Sequence, residues 1–600
     1  MMNRIIFRRL KGIKLISTSF NLQRANLVNV KVDTNTIKAP NESSNVVEEA
    51  AISYPTTKPL KFETSPLKPH SLEFPKDSDE SKELEEKKQP TEYVDSNKKL
   101  EALRQSMPFD SMPGPQSIKI IAKMWKMLPL PQKYESSIHR LVGAGNLFGY
   151  LSWYNNIKLL TRMTKEYGPL VRLEGPFGGN IILLLRLEDA LILIKNEGLY
   201  PVRSGIGSLE HYRLQYRKYK QAGLFLSSGP DWKKMRTTIE SLLSEYLDYQ
   251  FEVIEDASNE FVNRILRTRN LQDEVLSTFY REINKWSLEC ICSIILNKRL
   301  GFLEASGLNV SSEPARILQG VDEVISAIQR CEFGIHFWKY VNTPGWKNLV
   351  KYCDLLDTIF NKYIHKAQDS LKHKNICGDE LTVKNISFLE SLLLKEEISS
   401  EDTLSLILDM VILGSTATAY GVAFLLYHLS RYPNVQRKLY KEIVKAPDIL
   451  TRQDLSNMPY LCACIKESLR LKQPIPILNR VLSEHSLIHN YEVPKDTHLM
   501  IPIQFYSLKE EYFEDPLKFK PERWLNDDLN ISKVDVSTLP FGYGNKSCLA
   551  KALSEMQMGL AIIQILRKFR VSYQYGEVHS TNRMIAAPNR PLRFTFTNRE

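Results

Sequence analysis

The chain has 600 residues, 43% of them hydrophobic, and a formal net charge of +11 with an isoelectric point near 9.0. This apolar content is enough for a large core. The positive charge favours an acidic partner or a membrane surface, whereas no pattern indicates a nucleic-acid module. The eight cysteines include no CxxC pair, which argues against a zinc ribbon and a disulfide framework.

The first 32 residues are basic and contain serine but no acid. Apolar residues alternate with the charges, so no run approaches the roughly 20 apolar residues of a membrane span. This composition is typical of a mitochondrial import presequence, which we predict for residues 1–32; the alternative is a disordered basic tail. The basic residues that precede the first acid, Asp33, are Arg4, Arg8, Arg9, Lys11, Lys14, Arg24 and Lys31.

Residues 33–106 are rich in Pro, Ser, Glu and Lys and show no sustained apolar period. Such a segment cannot bury enough surface to offset its conformational entropy, so we predict a disordered linker. The run Met112-Pro113-Gly114-Pro115 then indicates a rigid turn. We therefore expect one large domain over residues 107–600.

The predicted elements of this domain are mostly helices. Two short apolar runs, residues 170–173 and 181–185, are separated by Gly and Pro and predict a hairpin-like pair of strands. Beyond about residue 230 the apolar residues follow a helical period until a strand-like end at residues 591–596. The fold class predicted is mainly α with a smaller β part.

Cys548 lies where a loop rich in Gly and Pro, residues 539–547, meets the start of a predicted helix. The positive end of a helix lowers the pKa of a thiol, so we expect Cys548 to favour the thiolate. A thiolate is the axial ligand that a haem iron needs in order to cleave an O–O bond. The alternative for a single cysteine in a loop is a buried structural role.

The spacing of Phe541, Gly544, Lys546 and Cys548 resembles the haem loop of the cytochrome P-450 superfamily, FxxGxRxCxG. Two positions depart from that pattern, since Lys546 stands in place of Arg and Ala550 in place of Gly. The resemblance covers residues 107–600. It implies the P-450 fold and a haem b cofactor, with Cys548 as the iron ligand and Phe541 beside the haem. A basic N-terminus without an apolar anchor is similar to the animal mitochondrial branch.

Several basic residues resemble family positions that hold the haem propionates. Trp232 and Arg236 match the family's WxxxR, in which an indole N–H and a guanidinium contact a propionate. Arg480, which follows Pro474-Ile475-Pro476, matches a basic position that binds a propionate in mitochondrial members, and Lys546 keeps the charge of the usual Arg. Because a lysine lacks the fork of an arginine, we expect Arg236 and Arg480 to carry more of the anchoring.

Residues 404–429 resemble the family's long helix that crosses the haem face and usually carries AGx(D/E)TT. Gly414 is expected to leave room for dioxygen. The acid position is Thr416 here and the alcohol position is Ala417, so the usual proton-relaying pair is missing. We expect protons to come from Thr416 or Thr418, through a water or a local helix bulge, or from a hydroxyl of the substrate.

Glu467 and Arg470 are three residues apart and can pair on one helix face. The downstream run Pro521-Glu522-Arg523-Trp524 resembles the family's PERF/PERW, so Arg523 is expected to complete a structural network behind the haem. Lys466 matches a lysine that mitochondrial members present to an acidic ferredoxin, although Cys462 occupies the companion basic position. The alternative for Lys466 is an ordinary solvated side chain.

An aromatic and basic stretch between residues 330 and 352 predicts either a monotopic membrane contact or packing under a loop. The resemblance as a whole implies a monooxygenase on the matrix side of the mitochondrial inner membrane. Electrons would come from NADPH through ferredoxin reductase and ferredoxin, and the substrate would be a sterol or steroid such as an ecdysteroid precursor. Two other classes stay open: a haem-thiolate isomerase or dehydratase acting on lipid hydroperoxides, and a non-catalytic haem-binding protein.

Overall fold

The computed structural model describes residues 106–116, 119–120, 157–175, 179–203, 206–304, 308–332, 336–377, 382, 385–525, 539–581 and 584–600. All of them belong to one compact unit, Gln89–Glu600. The presequence predicted for residues 1–32 and nearly all of the linker predicted for residues 33–106 lie outside the described residues, and both stay predictions.

Helices make up most of the described chain. The α-helices are α1 (Ile157–Tyr167), α2 (Leu187–Lys195), α3 (Gly207–His211), α4 (Pro230–Thr268), α5 (Phe279–Leu296), α6 (Glu313–Glu332), α7 (Pro344–Cys377), α8 (Phe388–Leu393), α9 (Ser400–Asp409), α10 (Ser415–Arg431), α11 (Pro433–Ile443), α12 (Arg452–Ser456), α13 (Pro459–Leu471), α14 (Ile503–Ser507) and α15 (Lys551–Lys568). Two π-helical turns, Tyr212–Tyr216 and Met410–Gly414, follow α3 and α9.

The β part is small. Its strands are β1 (Leu170–Gly175), β2 (Gly179–Leu184), β3 (Leu478–Val481), β4 (Ser486–Ile488), β5 (Tyr491–Val493), β6 (His498–Ile501), β7 (Phe569–Ser572) and β8 (Thr595–Asn598). One four-stranded sheet has the order β1-β2-β6-β3, in which only β2 and β6 run parallel. The predicted fold class, mainly α with a smaller β part, is confirmed.

The predicted pair of strands at residues 170–185 is confirmed as an antiparallel hairpin, with Leu170 opposite Leu184. The C-terminal strand was expected at residues 591–596, but β8 begins only at Thr595. The segment before it pairs elsewhere, because the carbonyl of Phe594 accepts a hydrogen bond from the N–H of Val275 at 2.9 Å. The first residue of the expected strand, Pro591, has no N–H for a ladder.

The largest core cluster joins α5, α10, α13 and α15, and α10 packs against each of the other three. Residues Ser400–Arg431, which combine α9, a π-turn and α10, are the one described helix long and apolar enough to span a membrane. Most of this helix is buried inside the protein. It is therefore the central core helix of the described fold, and it forms one wall of the cavity described next.

Candidate active site

A cavity of about 370 Å³ lies between the central helix, strand β3 and the loop that precedes α15. Cys548 lines it from that loop, and Gly414, Ala417 and Thr418 line it from the central helix. Most of the remaining wall is apolar, with Leu224, Phe225, Leu243, Ile475, Ile477 and Met584 among its residues. The structure thus brings the predicted thiolate ligand and the predicted oxygen-activating helix to one apolar chamber.

The loop that presents Cys548 is held by backbone geometry. The N–H of Cys548 donates to the carbonyl of Phe541 at 2.7 Å. Gly542 and Gly544 both adopt positive φ, at 75° and 70°, a region that side chains with a Cβ rarely occupy. Helix α15 then starts at Lys551. As predicted, Cys548 lies at the junction of a constrained loop and a helix N-terminus.

The structure does not lower the pKa of Cys548 as expected. The surrounding protein raises the pKa of this thiol above its usual value by desolvation, although the residue is exposed toward the chamber. The backbone N–H of Ala550 and the charges of Arg236 and Arg203 oppose that rise without cancelling it. Because a bound metal deprotonates a coordinating thiol outright, the thiolate would come from the iron rather than from the helix end.

Four cations line the cavity: Arg203, Arg236, Arg480 and Lys546. Burial, and then the neighbouring arginines, lower the pKa of Lys546 to about 6. Burial, with help from Arg480 and Arg236, lowers the pKa of Arg203 to about 10. Among the described residues no carboxylate forms an ion pair with either one. Such crowding of like charges fits a site for a dianionic group, and the two propionates of a haem match it.

Arg203 was not found from the sequence. Its guanidinium packs over the ring of Phe225 at 4.1 Å, and its Nε donates to the carbonyl of Phe225 at 3.1 Å. The bridge between Val202 and Val481 places it beside Arg480. Since 277 positions of chain separate the two arginines in sequence, no local motif could have shown this contact.

The other predicted propionate residues also lie at this cation cluster. Lys546 Nζ stands 3.4 Å from the ring centroid of Trp232 and donates to the carbonyl of Ser227 at 2.6 Å. Arg236 donates to Ser547 Oγ at 3.4 Å. Arg480 pairs with Glu197 and donates to the carbonyl of Tyr543 at 3.1 Å. Lys546 thus lies over the Trp232 ring, and it lines the chamber together with Arg236 and Arg480.

The central helix presents a stripe of residues to the cavity at spacings of three and four. A Cβ added at Gly414 would meet no atom within 4 Å, so the space expected there exists. Thr418 lines the cavity, and its hydroxyl donates to Ser554 Oγ at 3.5 Å. Thr416 lies off the stripe, where its hydroxyl donates to the carbonyl of Ile412 at 2.8 Å. The geometry therefore brings Thr418, and not Thr416, to the chamber.

Glu467, Arg470 and Arg523 form a buried network. Arg470 donates to both carboxylate oxygens of Glu467 at 2.8 Å, and Arg523 Nε donates to Oε1 at 3.1 Å. The indole N–H of Trp524 and the backbone N–H of Lys520 donate to the same carboxylate, each at 3.0 Å. The three predicted network residues meet in the structure, and every bond of the carboxylate is charge-assisted.

Lys466 and Cys462 lie one turn apart on the exposed face of α13. Lys466 Nζ is 5.7 Å from the ring of Trp524, whose indole contacts Glu467. A cation at this place lies next to the Trp524 side of the Glu467 network. The structure therefore leaves Lys466 accessible to a partner.

The aromatic stretch between residues 330 and 352 divides into two parts. Trp338 and Trp346 are buried and stacked, with ring centroids 5.4 Å apart, so these two side chains pack within the protein. Phe337, Tyr340 and Val341 are more than half exposed. Phe333 lies outside the described residues. Only the exposed part can serve the predicted membrane contact.

Comparison with known proteins agrees with this geometry. The family model for cytochrome P450 matches residues 139–596. A probable cytochrome P450 49a1 of Drosophila melanogaster is 28% identical over 82% of this chain and 83% of its own length. From the same organism, a probable mitochondrial cytochrome P450 12a5 is 30% identical over 74% and 87%, and the mitochondrial cytochrome P450 302a1 is 26% identical over 75% and 92%.

The chain belongs to the cytochrome P450 family. It is a haem-thiolate monooxygenase, and its cofactor is haem, whose iron takes a cysteine thiolate. The residues around the cavity fit that cofactor in two independent ways. One thiol opens into the chamber, and a cluster of four cations stands where two propionates need counter-charges.

Proposed function

We propose that this monooxygenase works in mitochondria and hydroxylates a sterol or steroid, with an ecdysteroid precursor as the first candidate. Electrons would pass from NADPH through ferredoxin reductase to ferredoxin and then to the haem. The observation that carries the proposal is the chamber itself, which joins Cys548, the open groove at Gly414 and apolar walls. The basic N-terminus and the relatives named mitochondrial support the location.

Cys548 would hold the iron, and Arg203, Arg236, Arg480 and Trp232, which line the same cavity, would bind the propionates. Bound haem supplies the centre at which dioxygen is activated. Overall, O2, two electrons and two protons convert a C–H bond to C–OH and release water. Gly414 provides space for dioxygen, and the apolar walls exclude bulk water from the reacting carbon.

Proton delivery is assigned to Thr418. Its hydroxyl borders the chamber and lies in a hydrogen-bonded pair with Ser554, which also lines the cavity. Thr416 is excluded from this role, because its hydroxyl is engaged with the carbonyl of Ile412. The π-turn at Met410–Gly414 is the kind of helix bulge that gives a hydroxyl access to the groove. A hydroxyl on the substrate would be the alternative donor.

The ferredoxin is proposed to dock at Lys466, on the exposed face of α13. An acidic partner would be steered there by charge, so the docking would weaken with salt. A peripheral membrane contact on the matrix side of the inner membrane is proposed for the surface around Phe337, Tyr340 and Val341. Lipophilic substrates would enter from that side.

A second candidate function is the isomerisation or dehydration of a lipid hydroperoxide, which needs neither O2 nor delivered protons. The observation that favours it is the replacement of the usual alcohol by Ala417 on the cavity wall. A third candidate is a haem-binding protein without catalysis.

One experiment separates the three. Purified holoprotein is mixed with ferredoxin reductase, ferredoxin and either a panel of sterols with NADPH or a lipid hydroperoxide without it, and NADPH consumption, product formation and the spin state of the iron are followed. A monooxygenase consumes NADPH and shifts to high spin with its substrate. An isomerase converts a hydroperoxide without NADPH, and a non-catalytic protein does neither.

A further inference from the structure

Asp409 is the one carboxylate on the cavity wall among the described residues. It is the last residue of α9, directly before the π-turn Met410–Gly414. Its side chain is only 9% exposed. Because Asp409 lines the cavity, this remaining exposure faces the chamber. The haem-binding residues and the proton path proposed above do not include this acid, although its charge favours the charged form of Arg203.

Arg213 clamps the carboxylate of Asp409. Its Nη2 donates to Oδ1 at 2.7 Å and its Nη1 donates to Oδ2 at 3.3 Å. The same guanidinium donates to the carbonyls of Ala222 at 2.8 Å and Ser405 at 3.4 Å. Arg213 is 1% exposed. The carboxylate of Asp409 is therefore fixed in position, and the guanidinium of Arg213 makes four hydrogen bonds within the protein.

The carboxylate keeps acceptor positions that the protein does not fill. A carboxylate has about four such positions, and within the described chain only the two bonds from Arg213 reach Asp409. Its neighbours on the cavity stripe, Leu406, Met410 and Leu413, offer no donor. Each oxygen of Asp409 already accepts one bond, so a donor from a ligand or a water would fill a further acceptor position at the cavity wall.

The donor expected at this place is neutral. Arg213 already balances the charge of Asp409, so an ammonium group would gain little. An anion would find no open donor on Arg213, whose guanidinium is buried and bonded to two carbonyls and the acid. A hydroxyl or an N–H on an otherwise apolar molecule fits both the carboxylate and the apolar wall.

The position of Asp409 on the central helix also sets its distance from the proposed site of oxidation. Eight residues separate it from Ala417, and a helix rises about 1.5 Å per residue, so the two lie about 12 Å apart along the same stripe. Under the proposed function, oxidation occurs beside Gly414 and Ala417. A donor bound at Asp409 would therefore lie about 12 Å from the oxidised carbon.

We propose that Asp409, held by Arg213, is a hydrogen-bond acceptor subsite for a hydroxyl at the far end of an apolar substrate. This inference deepens the proposed function and rests on the site of oxidation assigned there. It names the substrate class as an elongated lipophile with a neutral donor at one end and the oxidised carbon at the other.

The test uses ligands that the iron itself anchors, so it needs no oxidation and no ferredoxin. Imidazoles bind metal through a ring nitrogen, and their binding changes the haem absorbance. The probes carry a linear chain of about nine carbons that ends in a hydroxyl or in a methyl ether, a length that spans about 12 Å. A matching pair with about three carbons cannot reach Asp409.

We expect the long hydroxyl probe to bind the wild-type holoprotein at least about tenfold more tightly than the long ether, which can only accept a hydrogen bond. The short pair should bind equally. In the double variant Asp409→Leu with Arg213→Met, which leaves no buried charge unpaired, the preference should fall to about twofold or less while the ether binds as before. Glu401→Gln, an exposed acid on the same helix, is the matched control and should keep the preference.

Equal affinity of the two long probes for the wild-type protein would overturn the subsite, and that measurement needs no variant. A preference that survives in the double variant would overturn it as well. If the hydroxyl preference is found but no steroid is oxidised, the subsite stands and the steroid assignment fails.

Discussion

Two buried polar regions of this protein are built on opposite principles. Around Glu467 every charge has a partner, since Arg470, Arg523, Trp524 and the N–H of Lys520 all donate to one carboxylate. Around the cavity, Arg203 and Lys546 lie among other cations and form no ion pair with a carboxylate of the described residues, and the pKa values of these two groups fall. The matched region stabilises the fold, whereas the mismatched region is completed only by a ligand that brings negative charge.

The largest effect is expected from breaking the matched region. Glu467→Ala leaves two buried guanidinium groups without their carboxylate, which should cost about 3–5 kcal/mol of unfolding free energy and abolish haem retention. Haem content and thermal unfolding measure both effects. Glu514→Gln, which removes a surface partner of Lys520, is the control and should change stability by about 1 kcal/mol or less. A normal haem content in Glu467→Ala would refute the structural role.

The next effect concerns chemistry at the cavity wall. Thr418→Ala should lower the rate of product formation roughly a hundredfold, the lower range for one positioned proton donor. The rate of product formation and the product formed per NADPH consumed are the measurements. Thr416→Ala is the matched control and should retain activity, because its hydroxyl points to the carbonyl of Ile412. Full coupling in Thr418→Ala would assign the protons to a substrate hydroxyl.

Removing one cation of the cavity should weaken haem binding without lowering the stability of the apoprotein, unlike a change in the Glu467 network. Arg203→Gln should leave the haem-free protein as stable as the wild type or slightly more stable, because it relieves the repulsion that lowers the pKa of Lys546. The same change should weaken haem retention about tenfold, the equivalent of one charge-assisted hydrogen bond. Haem transfer to an acceptor protein and unfolding of the apoprotein give the two numbers. Loss of apoprotein stability would contradict the distinction between the regions.

The buried region around Glu467 also predicts a pH dependence of the free energy of unfolding. His428 is buried, and its Nδ1 shares a hydrogen bond of 2.9 Å with Ser468 Oγ. Its ring stacks on Phe519, and burial lowers its pKa to about 3. The unfolded chain binds a proton near pH 6.5, so stability should fall as pH drops below that value, by about 1.4 kcal/mol per unit. Unfolding of wild type and His428→Asn at pH 7 and pH 5 should show a loss about 2 kcal/mol smaller in the variant. An equal loss would contradict the buried neutral histidine.

The smallest effect is expected at the surface. Lys466→Glu should raise the KM for ferredoxin several-fold and flatten its dependence on salt, with kcat little changed. Lys495→Glu, at a position remote from α13 in sequence, is a control of equal charge change. An identical salt dependence in wild type and Lys466→Glu would remove Lys466 from the docking surface.

The parts of the site that short motifs encode were predicted from the sequence. The loop of Cys548, the Trp232 and Arg236 pair and the Glu467 and Arg470 pair each depend on residues close together in the chain. The hairpin β1–β2 followed from two short apolar runs separated by Gly and Pro, and the central helix followed from the resemblance to the family's long helix. Local spacing is what a sequence shows directly.

The features of the site that the sequence did not predict depend on contacts between distant segments or on burial. Arg203 reaches the cavity through a bridge to β3, and Arg213 meets Asp409 across 196 positions. The sign of the Cys548 pKa shift depended on how deeply the loop is buried, which the helix-end argument ignored. Of the two threonines proposed, Thr418 rather than Thr416 borders the cavity, a difference that depends on how the helix is turned against its neighbours.

The most direct test of the central claim is a turnover under isotopically labelled dioxygen. Holoprotein, ferredoxin reductase, ferredoxin, NADPH and a sterol that shifts the iron to high spin are combined, and the product is analysed by mass spectrometry. The account predicts one labelled oxygen in the new hydroxyl and one NADPH consumed for each product. A product that forms without NADPH and carries no label would contradict it.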